Sequence, residues 1–328
     1  MSAAKESSPM RPPTRTGVFV AAERISAILP PTPLLPVEID GTRCWVKAEN
    51  LQPIGAFKIR GAWNRISQLS QEERDRGVVG VSSGNHAQGV AWAAKRLGIP
   101  ATIVMPSDAP KVKLDNVRAR GAVIVTYDRR KGDRDGIAAD IRAQTGATVV
   151  HAFADPWIIE GQGTAGVEAA AQLAERGIAG PSRFIAPCGG GGLSAGLALA
   201  CPEAEVVPVE PVGWDVIGRS VVEDTILAAS PDAPATICDC LLAPGAQAIN
   251  VDVLKGRAEP GLCVSDAEIR AAMRFAFANL RLVIEPGATA GLAAALNGMV
   301  PVDEGTIIML TGGNVDPSVF AGIIDSNT

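Results

Sequence analysis

Short runs of β-branched residues alternate with Ala-rich helical segments along most of this chain, and no other feature limits the choice of fold as strongly. The alternation begins near residue 43 and is typical of parallel strands joined by helical crossovers. The fold class is therefore predicted to be α/β. Strands are predicted at Cys44–Lys47, Val78–Val81, Thr102–Met105, Val123–Thr126, Thr148–Val150, Phe184–Ala186, Val206–Val209 and Thr306–Leu310.

Two of the predicted helices carry clear end signals. Residues 166–178 have helical apolar spacing and finish with Arg176 and Gly177, which predicts a glycine cap. Residues 265–280 begin with Ser265 and Glu268, the spacing of a capping box. The chain has 328 residues, 47% of them hydrophobic, so we expect a large core that needs no disulfide or metal.

Charge and residue patterns exclude several functional classes. The net charge of −5 and the lack of a basic run argue against a nucleic-acid partner. Six cysteines without a CxxC motif, together with two histidines, do not form the ligand pattern of a zinc site. The long uncharged stretches contain Gly and Pro, so no membrane span is expected. The polar, Pro-rich start lacks the pattern of a signal peptide and predicts a frayed tail. The cysteine pattern predicts a cytoplasmic protein with reduced thiols.

Two segments have the spacing of known functional motifs, but the surrounding sequence argues against both functions. GQGTAG at 161–166 has the spacing of a dinucleotide fingerprint, but ADPWIIE before it is a poor buried strand and the required acidic residue does not follow. GLSAG at 192–196 has the spacing of a nucleophile elbow, but His86 and His151 both precede Ser194. That catalytic triad needs a later histidine. We therefore expect neither nicotinamide binding nor serine-hydrolase chemistry, and Ser194 is predicted to lie in a helix.

A run of four glycines, Gly189–Gly192, lies between the predicted strand Phe184–Ala186 and an apolar helix that starts near Leu193. Backbone N–H groups of such a run can converge on a phosphate at the positive end of a helix. A flexible turn is the alternative, but four adjacent glycines carry an entropy cost that a turn alone does not require. The run is predicted to bind a phosphate group.

Lys58 lies between Phe57 and Ile59 at a predicted helix start, whereas most other lysines are in charged or solvent-facing surroundings. Burial would lower its pKa toward the neutral amine that attacks carbonyl groups. The alternative is a surface lysine whose stem lies along an amphipathic helix. A phosphate cradle combined with an activated lysine is the pattern that holds pyridoxal phosphate.

A third cluster, formed by Ser82, Ser83, Gly84, Asn85 and His86, follows a predicted strand and opens a helix. Its backbone N–H groups, hydroxyls and amide suit a carboxylate at a helix N-terminus. Ordinary helix capping needs only one such residue. The cluster is therefore predicted to bind the α-carboxylate of a substrate.

The motifs GAFKIRG, SSGNHAQG, GQGTAG, GGGGLSAG, IEPGATAG and TGGN occur in the order and spacing of fold-type II pyridoxal phosphate enzymes. Over about residues 20–318 the chain resembles their serine/threonine dehydratase and serine racemase branch. The resemblance implies two parallel-sheet α/β domains with the cofactor between them. These are a large domain of residues 1–76 plus 152–328 and a small mobile domain of residues 77–151. It also implies a homodimer and a small amino-acid substrate.

The resemblance implies roles for single residues. Lys58 resembles the Schiff-base lysine, with Phe57 beside it, and Asn85 resembles the residue that binds the cofactor's phenolic oxygen. Thr311 lies where the family has a hydroxyl or thiol facing the pyridine nitrogen, and Glu285 resembles a pocket-side glutamate. The phosphate loop corresponds to Gly189, Gly190, Gly191, Gly192 and Leu193, and the carboxylate loop to Ser82, Ser83, Gly84, Asn85 and His86.

The implied reaction is elimination of water from a β-hydroxy L-amino acid such as threonine or serine, with Lys58 removing the Cα proton. The products are a 2-oxo acid and ammonia. Serine racemisation, with Ser83 as the acid or base on the opposite face, and dehydration of 3-hydroxyaspartate are alternatives. A non-catalytic amino-acid-binding protein is a remote alternative, against which Lys58 argues.

Two departures from relatives bear on cations and regulation. Glu210 matches a ligand for a divalent cation, but Val216 replaces the carboxylate expected six residues later, with Asp215 beside it, so the cation is left open. Phe153 is closer to the bacterial dehydratase pattern than to mammalian-type racemases. The sequence stops soon after Asn314, so we expect no isoleucine inhibition through a distal regulatory domain.

Overall fold

The computed structural model describes residues 11–82, 84–128 and 132–325. Over these ranges the chain forms two β-sheets covered by helices, which confirms the α/β prediction. The helices are α1 (Arg15–Ser26), α2 (Lys58–Ile66), α3 (Gln71–Arg76), α4 (Asn85–Leu97), α5 (Lys111–Ala119), α6 (Arg134–Thr145), α7 (Pro156–Ala174), α8 (Gly192–Ala200), α9 (Val216–Val222), α10 (Ala248–Leu254), α11 (Asp266–Phe275), α12 (Ala290–Leu296) and α13 (Pro317–Asp325). The strands are β1 (Leu34–Ile39), β2 (Thr42–Ala48), β3 (Val78–Val81), β4 (Ala101–Pro106), β5 (Val123–Tyr127), β6 (Thr148–Val150), β7 (Arg183–Pro187), β8 (Glu205–Pro211), β9 (Leu262–Val264) and β10 (Thr306–Leu310).

The first sheet has the strand order β1-β2-β10-β7-β8-β9, and the second has the order β5-β4-β3-β6. Neighbouring strands are parallel except for the antiparallel pair β1 and β2. Segments that follow parallel strands meet at one edge of the sheet, where open α/β sheets bind ligands. The second sheet lies within the segment predicted as a small domain; the boundaries of that domain and its mobility stay predictions.

All eight strands predicted from the sequence are present, and the two that were missed, β1 and β9, form the edges of the first sheet. β1 contains Pro36 and Glu38, both exposed, and β9 contains the exposed Cys263. An edge strand pairs on one side only, so it tolerates proline and polar residues better than a central strand does. β1 therefore lacks the continuous apolar run on which the prediction relied, and β9 has only three residues.

Helix α7 is longer than predicted, because it begins at Pro156 rather than at residue 166. Asp155 caps it by accepting hydrogen bonds from the backbone N–H groups of Trp157 and Ile158 at 2.9 and 3.1 Å. Proline is favourable in the first turn of a helix, where its missing N–H has no partner to lose. The Asp-Pro pair is thus a helix start, and GQGTAG lies inside the helix.

Other local predictions are confirmed. Ser265 and Glu268 form the expected capping box at the start of α11. Ser194 lies buried in α8. No helix in the described ranges is long and apolar enough to cross a membrane.

The glycines of GQGTAG allow helices to pack closely. A Cβ atom at Gly161 would lie 2.6 Å from the Cα atom of Gly61 in α2. One at Gly163 would lie 2.5 Å from the carbonyl oxygen of Gly196 in α8, which belongs to the GLSAG motif. The glycines of GQGTAG and GLSAG therefore allow the backbone of α7 to pack closely against α2 and α8.

A buried ion network holds α2 in place. Arg60 is fully buried, and its Nε and one terminal nitrogen each lie 2.8 Å from a carboxylate oxygen of Glu49. The terminal nitrogens of Arg60 also donate to Glu168 of α7 at 2.7 Å, and Lys47 of β2 donates to Glu168 at 2.9 Å. Mutual pairing offsets the desolvation of these charges. The network fixes α2, which starts at Lys58, against β2 and α7.

The contact between α7 and α8 can be tested with Gly163→Ala. Because the added methyl group meets the backbone of Gly196, the helices must separate, and we expect the free energy of unfolding to fall by about 1–3 kcal/mol. Gly180→Ala is the matched control, since a Cβ atom there meets nothing within 4 Å. Urea unfolding monitored by circular dichroism gives both values. Equal midpoints for the two variants would contradict the packing role of Gly163.

Candidate active site

A cavity of about 690 Å³ lies at the carboxyl ends of strands from both sheets. Val81 and Val150 end β3 and β6, Pro187 ends β7, and Thr311 follows β10; all four line the cavity. Open parallel sheets bind ligands at this position. Other lining residues are Phe57, Lys58, Ser82, Gly84, Asn85, His86, Lys113, Arg134, Arg142, Phe153, Gly189, Gly190, Gly191, Gly192, Leu193, Asp239 and Cys240.

Lys58 is the first residue of α2, and its amine lies on the cavity wall. Its Nζ donates a hydrogen bond to the carbonyl oxygen of Ala152 at 2.8 Å and lies 5.1 Å from the ring centre of Phe57. Burial lowers the pKa of Lys58 to about 8, against a smaller opposing effect of the Cys240 and Cys188 thiols. The amine therefore has a substantial neutral, nucleophilic fraction near neutral pH.

The glycine run forms a loop between β7 and α8, as predicted. Gly191 has a φ of +83°, which favours glycine, and a Cβ atom at Gly190 would lie 2.3 Å from the ring of Phe153. Gly192 is the first residue of α8, followed by the buried Leu193. The loop thus presents backbone at the positive end of a helix, and the ring of Phe153 lies against it at Gly190.

The predicted carboxylate loop lies at the start of α4, where Ser82, Gly84, Asn85 and His86 line the cavity. Ser82 Oγ accepts a hydrogen bond from the Gly84 backbone N–H at 3.1 Å. His86 Nε2 lies 2.8 Å from the carbonyl oxygen of Val150, and burial lowers the pKa of His86 to about 3. Because the imidazole is neutral, a carboxylate is attracted by the N-terminus of α4 and not by a histidine cation.

Thr311 and Glu285 differ in their relation to the cavity. The carbonyl oxygen of Thr311 accepts a hydrogen bond from the backbone N–H of Phe57 at 3.0 Å, which joins two parts of the cavity wall. Glu285 is fully buried behind Asn85, and its Oε1 accepts a hydrogen bond from Asn85 Nδ2 at 2.5 Å. Ser83 lies outside the described residues, and its catalytic and substrate-binding roles stay predictions.

Several cavity residues were missed by the sequence analysis, among them Lys113, Asp239 and Cys240. Lys113 lies in α5, is 1% exposed and donates from Nζ to Asp239 at 2.7 Å and to Glu285 at 3.1 Å. Burial acts to lower the pKa of Lys113, but the two carboxylates raise it well above its ordinary value. Most lysines other than Lys58 were expected to face solvent, but Lys113 is buried. Its burial was not predicted because the sequence around it is charged.

Asp239, Cys240 and Glu285 each place one ligand atom within 4.8 Å of the others. The ammonium group of Lys113 bonds to both carboxylates of this cluster. A metal ion would have to share that position with a positive charge, which opposes its binding. The cluster is therefore an ion-pair site.

Glu210, which resembles a cation ligand of relatives, has backbone partners. Its two carboxylate oxygens accept hydrogen bonds from the N–H groups of Ile217 and Gly218 at 2.9 and 2.8 Å. Burial raises the pKa of Glu210 to about 8, and nearby Asp215 adds to the rise. Among the described side chains, Glu210 belongs to no group of three candidate ligands, and the divalent cation stays unassigned.

Residues 25–312 match the model of a protein family described as "Pyridoxal-phosphate dependent enzyme". The chain belongs to this family. The prediction of an enzyme with fold-type II architecture and pyridoxal phosphate as cofactor is confirmed.

Individual relatives cover nearly the whole chain. It is 38% identical over 322 residues to L-threo-3-hydroxyaspartate ammonia-lyase of Pseudomonas sp, covering 94% of this chain and 97% of that protein. It is 36% identical over 319 residues to serine racemase of Schizosaccharomyces pombe, covering 94% and 96%. The crystal structure of T.th. threonine deaminase superposes with a TM-score of 0.85 at 37% identity, covering 93% and 99%. The names of these relatives are those of an ammonia-lyase, a racemase and a deaminase of amino acids.

The cavity has the features that pyridoxal phosphate requires. Lys58 would supply the amine that binds the aldehyde, and the backbone N–H groups of the loop Gly189–Gly192 would hold the phosphate. Asn85 would contact the phenolic oxygen of the cofactor, and Thr311 would contact its pyridine nitrogen. Because Thr311 offers a neutral hydroxyl and not a carboxylate, it does not favour a strongly protonated pyridine nitrogen.

The pH dependence of cofactor capture tests the state of Lys58. Its pKa of about 8 means that half of the amine is neutral at that pH and that the neutral fraction levels off about one pH unit higher. We expect the rate at which the apoprotein captures pyridoxal phosphate to follow the same curve, measured by stopped-flow absorbance. A rate that continues to rise toward the ordinary lysine pKa of 10.5 would show that Lys58 reacts while solvated.

Proposed function

We propose that this enzyme eliminates water from a β-hydroxy L-amino acid and produces a 2-oxo acid and ammonia. The observation that supports the proposal is the low-pKa amine of Lys58, which shares one cavity with a glycine loop for phosphate and a polar helix start for a carboxylate. The names of two relatives describe the loss of ammonia from an amino acid.

Lys58 is the base in this proposal. Bound pyridoxal phosphate would draw electrons away from the substrate's Cα atom and so make its proton acidic. The Lys58 amine, when it is not bonded to the cofactor, would be partly uncharged at neutral pH and could accept that proton. Its hydrogen bond to the Ala152 carbonyl uses an N–H and leaves the nitrogen lone pair available.

The substrate carboxylate would bind at the start of α4. The first backbone N–H groups of a helix have no partner within the helix and carry its positive dipole end. Ser82 adds a hydroxyl group, and His86 connects the helix start to Val150 of β6. Holding the carboxylate there would orient the Cα–H bond toward Lys58, and orientation supplies much of the acceleration in such reactions.

We propose that residues 77–151 form a small mobile domain that closes on residues 1–76 and 152–328. The cavity takes wall residues from both parts. Closure would exclude water, strengthen the electrostatic contacts and protect the reactive product of elimination from side reactions.

The side chain of the substrate distinguishes the main proposal from its alternatives. Arg134 and Arg142, both in α6, line the cavity, and a guanidinium can bind a second carboxylate. This observation favours 3-hydroxyaspartate as a substrate in addition to serine and threonine. Racemisation of serine is a further activity that the same site could perform if Ser83 acts as the acid or base on the opposite face.

We also propose a homodimer in the cytoplasm. Leu51 and Val283 are exposed apolar residues, 53% and 46% exposed, that lie near each other through the hydrogen bond from Asn50 Nδ2 to the Val283 carbonyl. A second copy of the chain could cover them. The cysteines are free thiols, which suits a reducing compartment.

The Lys58→Ala variant tests the proposed function. Because it removes the amine and the base together, we expect loss of 2-oxo acid release from serine, threonine and 3-hydroxyaspartate, and loss of the covalent adduct that borohydride traps. Lys95→Ala, an exposed change in α4, is the control and should behave as wild type. Elimination that persists in Lys58→Ala would refute the mechanism, and a wild-type protein inactive on all three substrates would support a binding protein.

Arg134→Met tests the choice of substrate. If its guanidinium binds a second carboxylate, kcat/KM for 3-hydroxyaspartate should fall about tenfold or more, while the value for serine changes little. Arg118→Met, on the exposed surface of α5, serves as the control. An equal fall for both substrates would assign Arg134 to a contact common to all substrates.

A further inference from the structure

A continuous chain of hydrogen bonds runs behind the cavity wall. Asn314 donates from Nδ2 to the carbonyl oxygen of Ile54 at 2.9 Å and to Asn85 Oδ1 at 2.8 Å. Asn85 in turn donates from Nδ2 to Glu285 Oε1 at 2.5 Å. Lys113 completes the chain by donating to Glu285 Oε2 at 3.1 Å. Each side chain in this series therefore contacts the next.

The two ends of the chain determine its direction. The carbonyl of Ile54 can only accept, so Asn314 must turn its NH₂ group toward it, and the same NH₂ group then meets Asn85. At the other end, the ammonium of Lys113 can only donate, so Glu285 acts as acceptor. Asn85 lies between a donor and an acceptor, which permits a single orientation of its amide.

The orientation of Asn85 decides what it can offer to a ligand. One N–H of its NH₂ group is used by Glu285, and the other remains for a group in the cavity that Asn85 lines. A flipped amide would bring Oδ1 against the Glu285 carboxylate and NH₂ against the NH₂ group of Asn314. Both hydrogen bonds would be lost, and groups with like partial charges would face each other at both contacts.

While Glu285 is ionised, its carboxylate can only accept hydrogen bonds. Burial raises the pKa of Glu285, and the ammonium of Lys113 opposes that rise. The side chains of Lys113 and Glu285 are 2% and 1% exposed, so water cannot replace the ammonium. A protonated Glu285 could donate as well as accept, and Asn85 would then have two acceptable orientations.

We propose that Asn314 and Lys113 are positioning residues that hold Asn85 as a hydrogen-bond donor toward the phenolic oxygen of the cofactor. Asn314 acts by binding Oδ1 of Asn85, and Lys113 acts by keeping Glu285 an acceptor. The inference rests on the proposed function, because it takes Asn85 as a cofactor contact. Asn85 and Lys113 belong to residues 77–151, whereas Asn314 and Glu285 do not, so the orientation is complete only when the two parts of the chain are together.

The test uses Lys113→Met and Asn314→Asp, which remove one donor each from the chain of hydrogen bonds. For each variant we expect pyridoxal phosphate to bind about tenfold or more weakly and the absorption band of the bound cofactor to shift, because its phenolic oxygen loses a fixed donor. Lys111→Met, an exposed change in the same helix as Lys113, is the control and should match wild type in both measurements. Thermal unfolding of each apoprotein shows that the variants fold.

A double-mutant cycle separates positioning from general structural damage. If Lys113 and Asn314 act through Asn85, neither substitution should weaken cofactor binding or shift the band further once Asn85→Ala is present. Full additivity with Asn85→Ala would overturn the proposal. If Lys113→Met does not fold, Asn314→Asp carries the test alone, and wild-type affinity and spectrum in that variant would overturn it too.

These outcomes are distinct from failure of the proposed function. A wild-type protein that binds no pyridoxal phosphate, or a Lys58→Ala variant that still eliminates, contradicts the function itself. An active holoenzyme whose Asn314→Asp and Lys113→Met variants are indistinguishable from wild type contradicts only the positioning role.

Discussion

The guanidinium of Arg60 joins three parts of the large core at a point close to Lys58. It binds Glu49 after β2 and Glu168 in α7, so the start of α2 cannot move independently of either element. Helix α7 is in turn held against α8 by the contact between Gly163 and Gly196. Because α8 begins at the glycine loop, core packing places the Lys58 amine and the glycine loop at a fixed separation.

Three lysines, Lys47, Lys58 and Lys113, have different hydrogen-bond partners and different pKa shifts. Lys113 donates to two carboxylates, which raise its pKa above the ordinary value. Lys47 donates to Glu168, yet burial still lowers the pKa of Lys47. Lys58 donates to the neutral carbonyl of Ala152, which cannot stabilise a full positive charge as a carboxylate does. Burial therefore dominates at Lys58 and lowers its pKa. The two carboxylates at Lys113 outweigh burial, whereas the carboxylate partner of Lys47 and the neutral carbonyl partner of Lys58 do not.

Much of the fold and of the cavity wall could be predicted from the sequence, because those parts depend on local patterns. Buried central strands give continuous apolar runs, and the loop Gly189–Gly192 is visible as a run of residues without side chains. The edge strand β1 is interrupted by Pro36 and Glu38, and the edge strand β9 has only three residues. Lys113 and Asp239 could not be found, since their roles arise from a pairing between residues far apart in the chain. For the same reason, no local pattern could place Glu285 behind Asn85 rather than on the cavity wall.

The contact between Gly163 and Gly196 also constrains how this part of the molecule can evolve. A larger residue at either position cannot be compensated by a smaller one at the other, because both already carry only hydrogen. The two positions are therefore expected to stay fixed independently and not to vary as a correlated pair. Methods that infer proximity from correlated substitutions would find no signal at this close approach, even though it sets the distance between α7 and the helix that starts at the glycine loop.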